Sequence, residues 1–345
     1  MKPKVEQSNA HDFPELFRLV VGYRISQCIH AAVELRIPDL LASRPKTVDK
    51  LAAATAAHAE SLYRLLRLLT GVGIFVEVAP RQFALTPLGK GLKSDVPGSS
   101  AALARLVLGK SHWEPWGQLL ESVRTGRSAF SEVHGMGLFD YLEQHPEEGR
   151  LFDAAMTEST VRGGIAVAQH YDFSGMTTIV DVGGGQGLLL ASLLQTNPHL
   201  TGILFDLPEV VARGGSMLEK WDVSKRCTTV GGSFFASVPV GADAYILRHI
   251  IHDWGDDKAH EILRNCRDAA RPAGKVLVVE RLVSSDYQAG LPLLANDMEM
   301  MVNVGGKERT ETEFRELFAE AGLRFSRVIG ANDPASHVII EAERE

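Results

Sequence analysis

The sequence predicts an α/β protein: a mostly helical, winged-helix-like N-terminal part followed by an open, mainly parallel sheet covered on both faces. Three observations carry this. Residues 13–171 repeat Leu and Ala at three- and four-residue spacing, as in Phe17-Val20-Val21-Arg24-Ile25 and Leu62-Leu65-Leu66-Leu69, the period of amphipathic helices. From Thr177 onward, short apolar runs alternate with helical stretches, the pattern of βαβ units. The chain has 345 residues, more than one typical hydrophobic core spans, which favours two domains.

In order along the chain, Thr47-Val48-Asp49-Lys50-Leu51 reads as a helix N-terminus and Ala59–Arg67 as a second helix. Two short strands follow, Gly71–Val78 and Arg81–Thr86, around a turn at Pro80. Helix, helix, hairpin is the order of a winged helix. The boundary to the sheet domain falls near Tyr171–Gly175, giving expected segments of 1–110, 111–172 (a helical linker region) and 173–345. Expected strands are Thr178–Val182, Gly202–Phe205, Ala242–Leu247, Lys275–Val279 and a last one at Ser336–Glu341. Expected helices include Leu188–Leu194, Asp257–Ala270 and Glu311–Glu320.

Composition narrows the function. The formal net charge of −7 and scattered basic residues disfavour nucleic acid as a partner. No apolar run approaches the roughly 20 residues of a membrane span, and the start MKPKVEQSNAHDFPEL lacks the apolar region of a signal peptide. The three cysteines, Cys28, Cys227 and Cys266, make no CxxC pair and read as bystander thiols in a reducing compartment. A cytoplasmic protein is expected.

Two constellations carry chemistry. In the first, the apolar run Ile179–Val182 leads into Gly183-Gly184-Gly185-Gln186-Gly187, where missing Cβ atoms let a ligand approach the backbone. Asp206 lies past the next strand, placed to accept ribose hydroxyls. Leu188 stands where a dinucleotide fingerprint wants a third small residue, so the turn suits a nucleoside lacking a pyrophosphate better than NAD. In the second, Arg248-His249-Ile250-Ile251-His252-Asp253-Trp254 leaves the carboxyl end of a strand, the edge where such sheets bind ligands. His252 is the candidate general base. Glu280, ending the next strand, and Glu308, in the loop before Glu311, are candidates to fix its ring, with Glu280 preferred. His249 is expected to pack or to edge the cofactor. Asp253, Asp256 and Asp257 are read as caps of the following helix rather than as Mg²⁺ ligands, and no metal site is expected.

Taken in order, DVGGGQG, FDLPEV, GGSFF, HDW, VVER and GGKERT closely resemble the caffeic-acid/hydroxyindole type of small-molecule O-methyltransferases, whose bacterial members include carminomycin-type enzymes. The resemblance covers nearly the whole chain. It implies a Rossmann-like S-adenosylmethionine-dependent methyltransferase domain behind a winged-helix-like dimerisation domain, a homodimer, and an aromatic hydroxyl acceptor. By similarity Asp181, Gly183, Gly185, Asp206, Leu207, Ser233, Phe234 and Arg248 would hold the cofactor, and His252, Glu280 and Glu308 would form the catalytic set. Plant-type members carry Asp where this chain has Ser233, a weaker acceptor for an adenine amine. Trp113, Phe130, Met156, Met300 and Asn303 are the principal acceptor-pocket candidates, with Trp116, Phe139 and Met301 behind them. Three other readings stand beside this one. They are a family member that binds the cofactor without methyl transfer (hydroxylase-like), an NAD-dependent dehydrogenase, which nicotinamide absorbance changes would reveal, and a winged-helix regulator, which sequence-specific DNA binding would reveal.

Overall fold

The computed structural model describes residues 13–94, 96–161, 170–330 and 336–344; most of the N-terminal stretch read for a signal peptide lies outside them. The chain divides into two compact units, Met1–Lys110 and Ser111–Glu345.

In the first unit the helix Val48–Thr55 starts where expected, with the Thr47 hydroxyl accepting from the Lys50 amide. The helix Ala59–Gly71 follows, then strands β2 (Phe75–Ala79) and β3 (Gln82–Leu85). A two-residue strand β1 (Lys46–Thr47), too short for any sequence pattern, completes an antiparallel sheet of order β1-β3-β2. Leu51, Leu62, Leu66, Leu69, Phe75 and Phe83 are buried together beneath it. The helix Phe13–Val20 keeps an apolar surface in the open, with Leu16, Leu19 and Val20 each more than half exposed.

In the second unit, β4 (Thr178–Val182), β5 (Thr201–Asp206), β6 (Cys227–Gly231), β7 (Ala244–Arg248), β8 (Lys275–Glu280), β9 (Leu323–Gly330) and β10 (Val338–Arg344) form one sheet of order β6-β5-β4-β7-β8-β10-β9. The five strands from β6 to β8 run parallel, and β10 is antiparallel to both its neighbours. Period-two alternation sorts the side chains. Val180, Val182, Tyr245, Leu247, Val276 and Val278 face the helices Asp256–Ala269 and Glu311–Glu320. Ile179, Leu204, Ala244, Ile246, Leu277 and Val279 face Leu188–Thr196 and Pro208–Lys220. Both faces are therefore covered, as the continuous apolar runs predict. β6 and β9 were not expected: CTTVG and LRFSRVIG are mostly polar or half-buried edge segments without a strong apolar period.

The expected capping by aspartates is corrected. Gly255 occupies the N-cap of Asp256–Ala269, and no side chain caps it. Asp256 instead pairs with Arg309 at 2.8 Å and Lys307 at 3.1 Å.

Candidate functional site

The turn after β4 folds back on β5, with the Gly183 amide donating to the Phe205 carbonyl at 2.8 Å. Gly183 and Gly185 take φ of 67° and 58°, a region L side chains rarely adopt. A Cβ on Gly185 would meet nothing within 4 Å, so open space lies over that backbone. Beneath it, Asp181 is buried, and its Oδ2 has no hydrogen-bond partner. Burial pushes its carboxyl up to about 7, with Asp206 adding to the rise and Arg248 opposing it. Asp206 ends β5 and accepts from the Gly185 and Leu207 amides at 2.8 and 2.7 Å. Each of its oxygens keeps a lone pair for a hydroxyl donor, and burial pushes it up to about 6 against the pull of those amides. A left-handed glycine turn, open space above it, a buried acid and a half-buried one are what a nucleoside with a free ribose edge needs. Ser233 and Phe234 follow β6 and are half-buried. The Ser233 hydroxyl accepts from the Phe235 amide at 3.3 Å, and the Phe234 ring lies edge-on to Trp254. Arg248, ending β7, donates to Thr160 and Ser159 hydroxyls at 3.0 and 3.3 Å.

At the same edge the chain leaves β7 through His249, held at a left-handed φ of 54°, into the single helical turn Ile251–Asp253. The loop 305–309 clamps this turn. The Lys307 amide donates to the His252 carbonyl at 2.9 Å. The Arg309 guanidinium, 1% exposed, donates to the Ile251 and Trp254 carbonyls at 3.0 and 2.8 Å. A Cβ on Gly306 would run into the His252 and Asp253 backbone, so the close approach requires glycine. The clamp sets Glu308 against the imidazole: its Oε1 accepts from His252 Nδ1 at 3.0 Å and from Asn296 Nδ2 at 2.6 Å.

The expected division of labour between the two acids is therefore corrected. Glu308 holds the ring, whereas Glu280 accepts the His252 backbone amide at 3.0 Å and fixes the turn. Asp253, read from the sequence as a cap, stands on the other side of the ring, with Oδ1 3.5 Å from His252 Nε2. Burial alone would depress His252, but Asp253, then Glu308 and Glu280, overcome it and hold the imidazole up at about 9. Burial raises Glu280 to about 7 and Asp253 to about 6, each against the attraction of His252. His252, Glu280 and Glu308 lie close enough to ligate one ion in principle. The ring proton on Nδ1 and the two hydrogen-bonded carboxylates already use that geometry for orientation.

The acceptor candidates separate. Met156 is half-buried on the helix Pro146–Ser159, Met300 and Met301 on Leu291–Asn303, and Trp113 and Trp116 on Lys110–Trp116. Asn303 is buried, with Nδ2 donating to Glu299 at 2.8 Å and Oδ1 without a partner. Phe139 stacks on Trp254 at 5.3 Å. Phe130 is corrected: it is 0% exposed and packed among His112, His134 and Tyr141, a core side chain behind any pocket wall. Sequence reasoning missed Asp253, Asn296, Glu299 and Arg309. The adjacency of Asp253 to His252 was the one signal present for any of them.

The O-methyltransferase domain family matches residues 116–324, and the O-methyltransferase dimerisation domain matches residues 17–95. This chain belongs to the O-methyltransferase family. The phenazine O-methyltransferase PhzM of Lysobacter antibioticus is 40% identical over 316 residues, 91% of this chain and 92% of that one. The 8-amino-8-demethylriboflavin N,N-dimethyltransferase of Streptomyces davaonensis is 34% identical over 322 residues, 92% of each chain. An O-methyltransferase from neocarzinostatin biosynthesis, solved with S-adenosylmethionine and 2-hydroxy-5-methyl naphthoic acid, shares the fold with a TM-score of 0.81. It is 31% identical, with 93% of this chain and 96% of that chain covered. No described helix is long and apolar enough to cross a membrane.

Proposed function

We propose that this chain methylates a hydroxyl of an aromatic small molecule, using S-adenosylmethionine and His252 as general base. The observation that carries the reading is the buried His252–Glu308 hydrogen bond of 3.0 Å at the sheet edge that also bears the glycine turn. Asp181, Gly183, Gly185, Asp206, Leu207, Ser233, Phe234 and Arg248 would hold the cofactor, which supplies an electrophilic methyl group when bound. Met156, Met300, Asn303 and Trp113 would face the acceptor, with segment 111–172 contributing to its pocket.

His252 Nδ1–H donates to Glu308, which leaves Nε2 as the atom that takes the acceptor's proton. A phenol loses its proton near pH 10, and an imidazole held up at about 9 is a strong enough base to accept that proton once it is itself neutral. Once charged, the ring lies 3.5 Å from Asp253, which stabilises the proton on Nε2. The remaining acceleration is positional.

A homodimer through the N-terminal domain belongs to the same reading, supported by the dimerisation-domain match over residues 17–95 and by the exposed Leu16, Leu19 and Val20. A cytoplasmic location is supported by three free cysteines. Similarity to an N,N-dimethyltransferase favours one second reading, an aryl amine acceptor. Incubation with trideuteromethyl-labelled cofactor and a panel of aryl hydroxyls and aryl amines separates the two. Label on oxygen supports the proposal, label on nitrogen alone favours the second reading, and binding without transfer overturns both.

A further inference from the structure

The helix Pro146–Ser159 is fastened to the sheet at two points, one on each side of the glycine turn. At its C-terminal end, Arg248, the last residue of β7, donates to the Thr160 and Ser159 hydroxyls at 3.0 and 3.3 Å. Nearer its middle, Asp153 Oδ2 accepts from Arg213 Nε at 2.7 Å. Arg213 stands on the helix Pro208–Lys220, which starts directly after β5. β4, which runs into the glycine turn, lies between β5 and β7 in the sheet.

The dimensions fit a helix laid across the end of β4. From Asp153 to Thr160 the chain stays helical and advances about 10 Å at roughly 1.5 Å per residue. Two strand spacings, from β5 to β7, also come to about 10 Å. Asp153, Met156 and Thr160 follow at i, i+3 and i+7, so they share one helix face. Asp153 and Thr160 are buried and Met156 is half-buried. Asp206 is raised by burial first, and the charge of Asp153 adds to that rise, so this face comes within electrostatic range of the acid read as the ribose partner. A carboxylate as buried as Asp153 is costly unless paired, which ties the helix to Arg213. The two anchors differ in strength. The Arg213 side chain is 32% exposed, whereas Arg248 is buried, so water and salt reach the Asp153 end first.

We propose that Asp153 and Arg213 are positioning residues for the cofactor. Their ion pair holds the helix Pro146–Ser159 down across the glycine turn, and its opening is the step that lets S-adenosylhomocysteine leave. The inference rests on the reading of that turn as the cofactor site.

The test is stopped-flow release of S-adenosylhomocysteine from the full chain, with equilibrium affinity measured alongside. Arg213→Gln and Asp153→Asn are each expected to speed release by about tenfold or more, and Arg213→Lys should restore part of the dwell time. The double variant Asp153→Asn/Arg213→Gln should release no faster than the faster single variant, because both changes remove one bond. Added salt should speed release from wild type more than from the double variant. A pair with only a structural role would lower the urea midpoint and leave the release rate where it was. Unchanged release in both single variants, or effects that add in the double variant, overturns the inference. Should Asp153→Asn not fold, Arg213→Gln, changed at the more exposed partner, decides alone. Asp206→Asn separates the two readings. If it weakens S-adenosylhomocysteine binding while Arg213→Gln leaves release unchanged, the inference alone fails; if it leaves binding unchanged, the cofactor-site reading fails and the inference with it.

Discussion

Replacing Glu308 with Gln removes one charge from the His252 ring and, with it, the 3.9 Å ion pair to Arg281. The Gln carbonyl can still accept from His252 Nδ1 and Asn296, which both bond Glu308 Oε1, and the amide group falls where Oε2 has no partner. At 3.0 Å and an effective dielectric near 20, the lost Coulomb energy is at most roughly 5.5 kcal/mol. Single opposite charges move pKa values by about 1–3 units in practice. Asp253 and Glu280 still support the imidazolium, so His252 is expected to fall from about 9 toward about 7–8. The sign follows directly. Below its pKa His252 is protonated and cannot accept a proton, so wild-type kcat/KM should climb with pH and level near 9. In Glu308→Gln the rise should level about 1–2 units lower, at a reduced plateau because the weaker base accepts less readily. The assay is single-turnover methylation of a phenol across pH 6–10, with S-adenosylhomocysteine affinity measured alongside. A wild-type profile flat above pH 7, or a limb that does not move in the variant, refutes the reasoning.

Three further outcomes are expected. Asp206→Asn should weaken S-adenosylmethionine binding about 10–100-fold by calorimetry, the loss of a charge-assisted hydrogen bond; unchanged affinity would remove Asp206 from the cofactor site. Phe130→Ala should cost about 3–5 kcal/mol in urea denaturation, because its ring is fully buried, whereas a pocket-lining ring would alter acceptor KM with little change in stability. Leu19→Asp, on a helix face 68% exposed at that residue, should shift the chain toward monomer in light scattering if the dimer uses that face, and a persistent dimer would place the interface elsewhere.

Much of the scaffold was legible because local pattern and tertiary role agree. β4 appeared at its predicted limits because a strand buried on both faces is a continuous apolar run bounded by glycine. The helix Glu311–Glu320 appeared at its predicted limits, and its start is closed by a capping box of Thr310 and Glu313. β6 and β9 were not, since edge strands lack that apolar signal. The site was half legible. His252 and Glu280 were brought together by chain order, since successive βα units return their loops to one edge, whereas Glu308, in a loop before a helix, joined them through the family resemblance. Which acid meets which atom depends on how the loop 305–309 descends, and that is set by Arg309 reaching carbonyls some 55 residues away, a contact without any local signature. His249 and His337 meet across 88 residues for the same reason, and the cap reading of Asp253 failed because a nearby helix start offered a local explanation that its burial beside the imidazole overrides.

The central claim is that His252 removes the acceptor's proton. Its most direct test is the single-turnover rate of His252→Ala on an acceptor that the wild type methylates, at saturating S-adenosylmethionine. The expected result is a loss of about 10²–10⁴-fold with cofactor affinity unchanged; a loss below about tenfold would contradict base catalysis and leave positioning as the source of the rate.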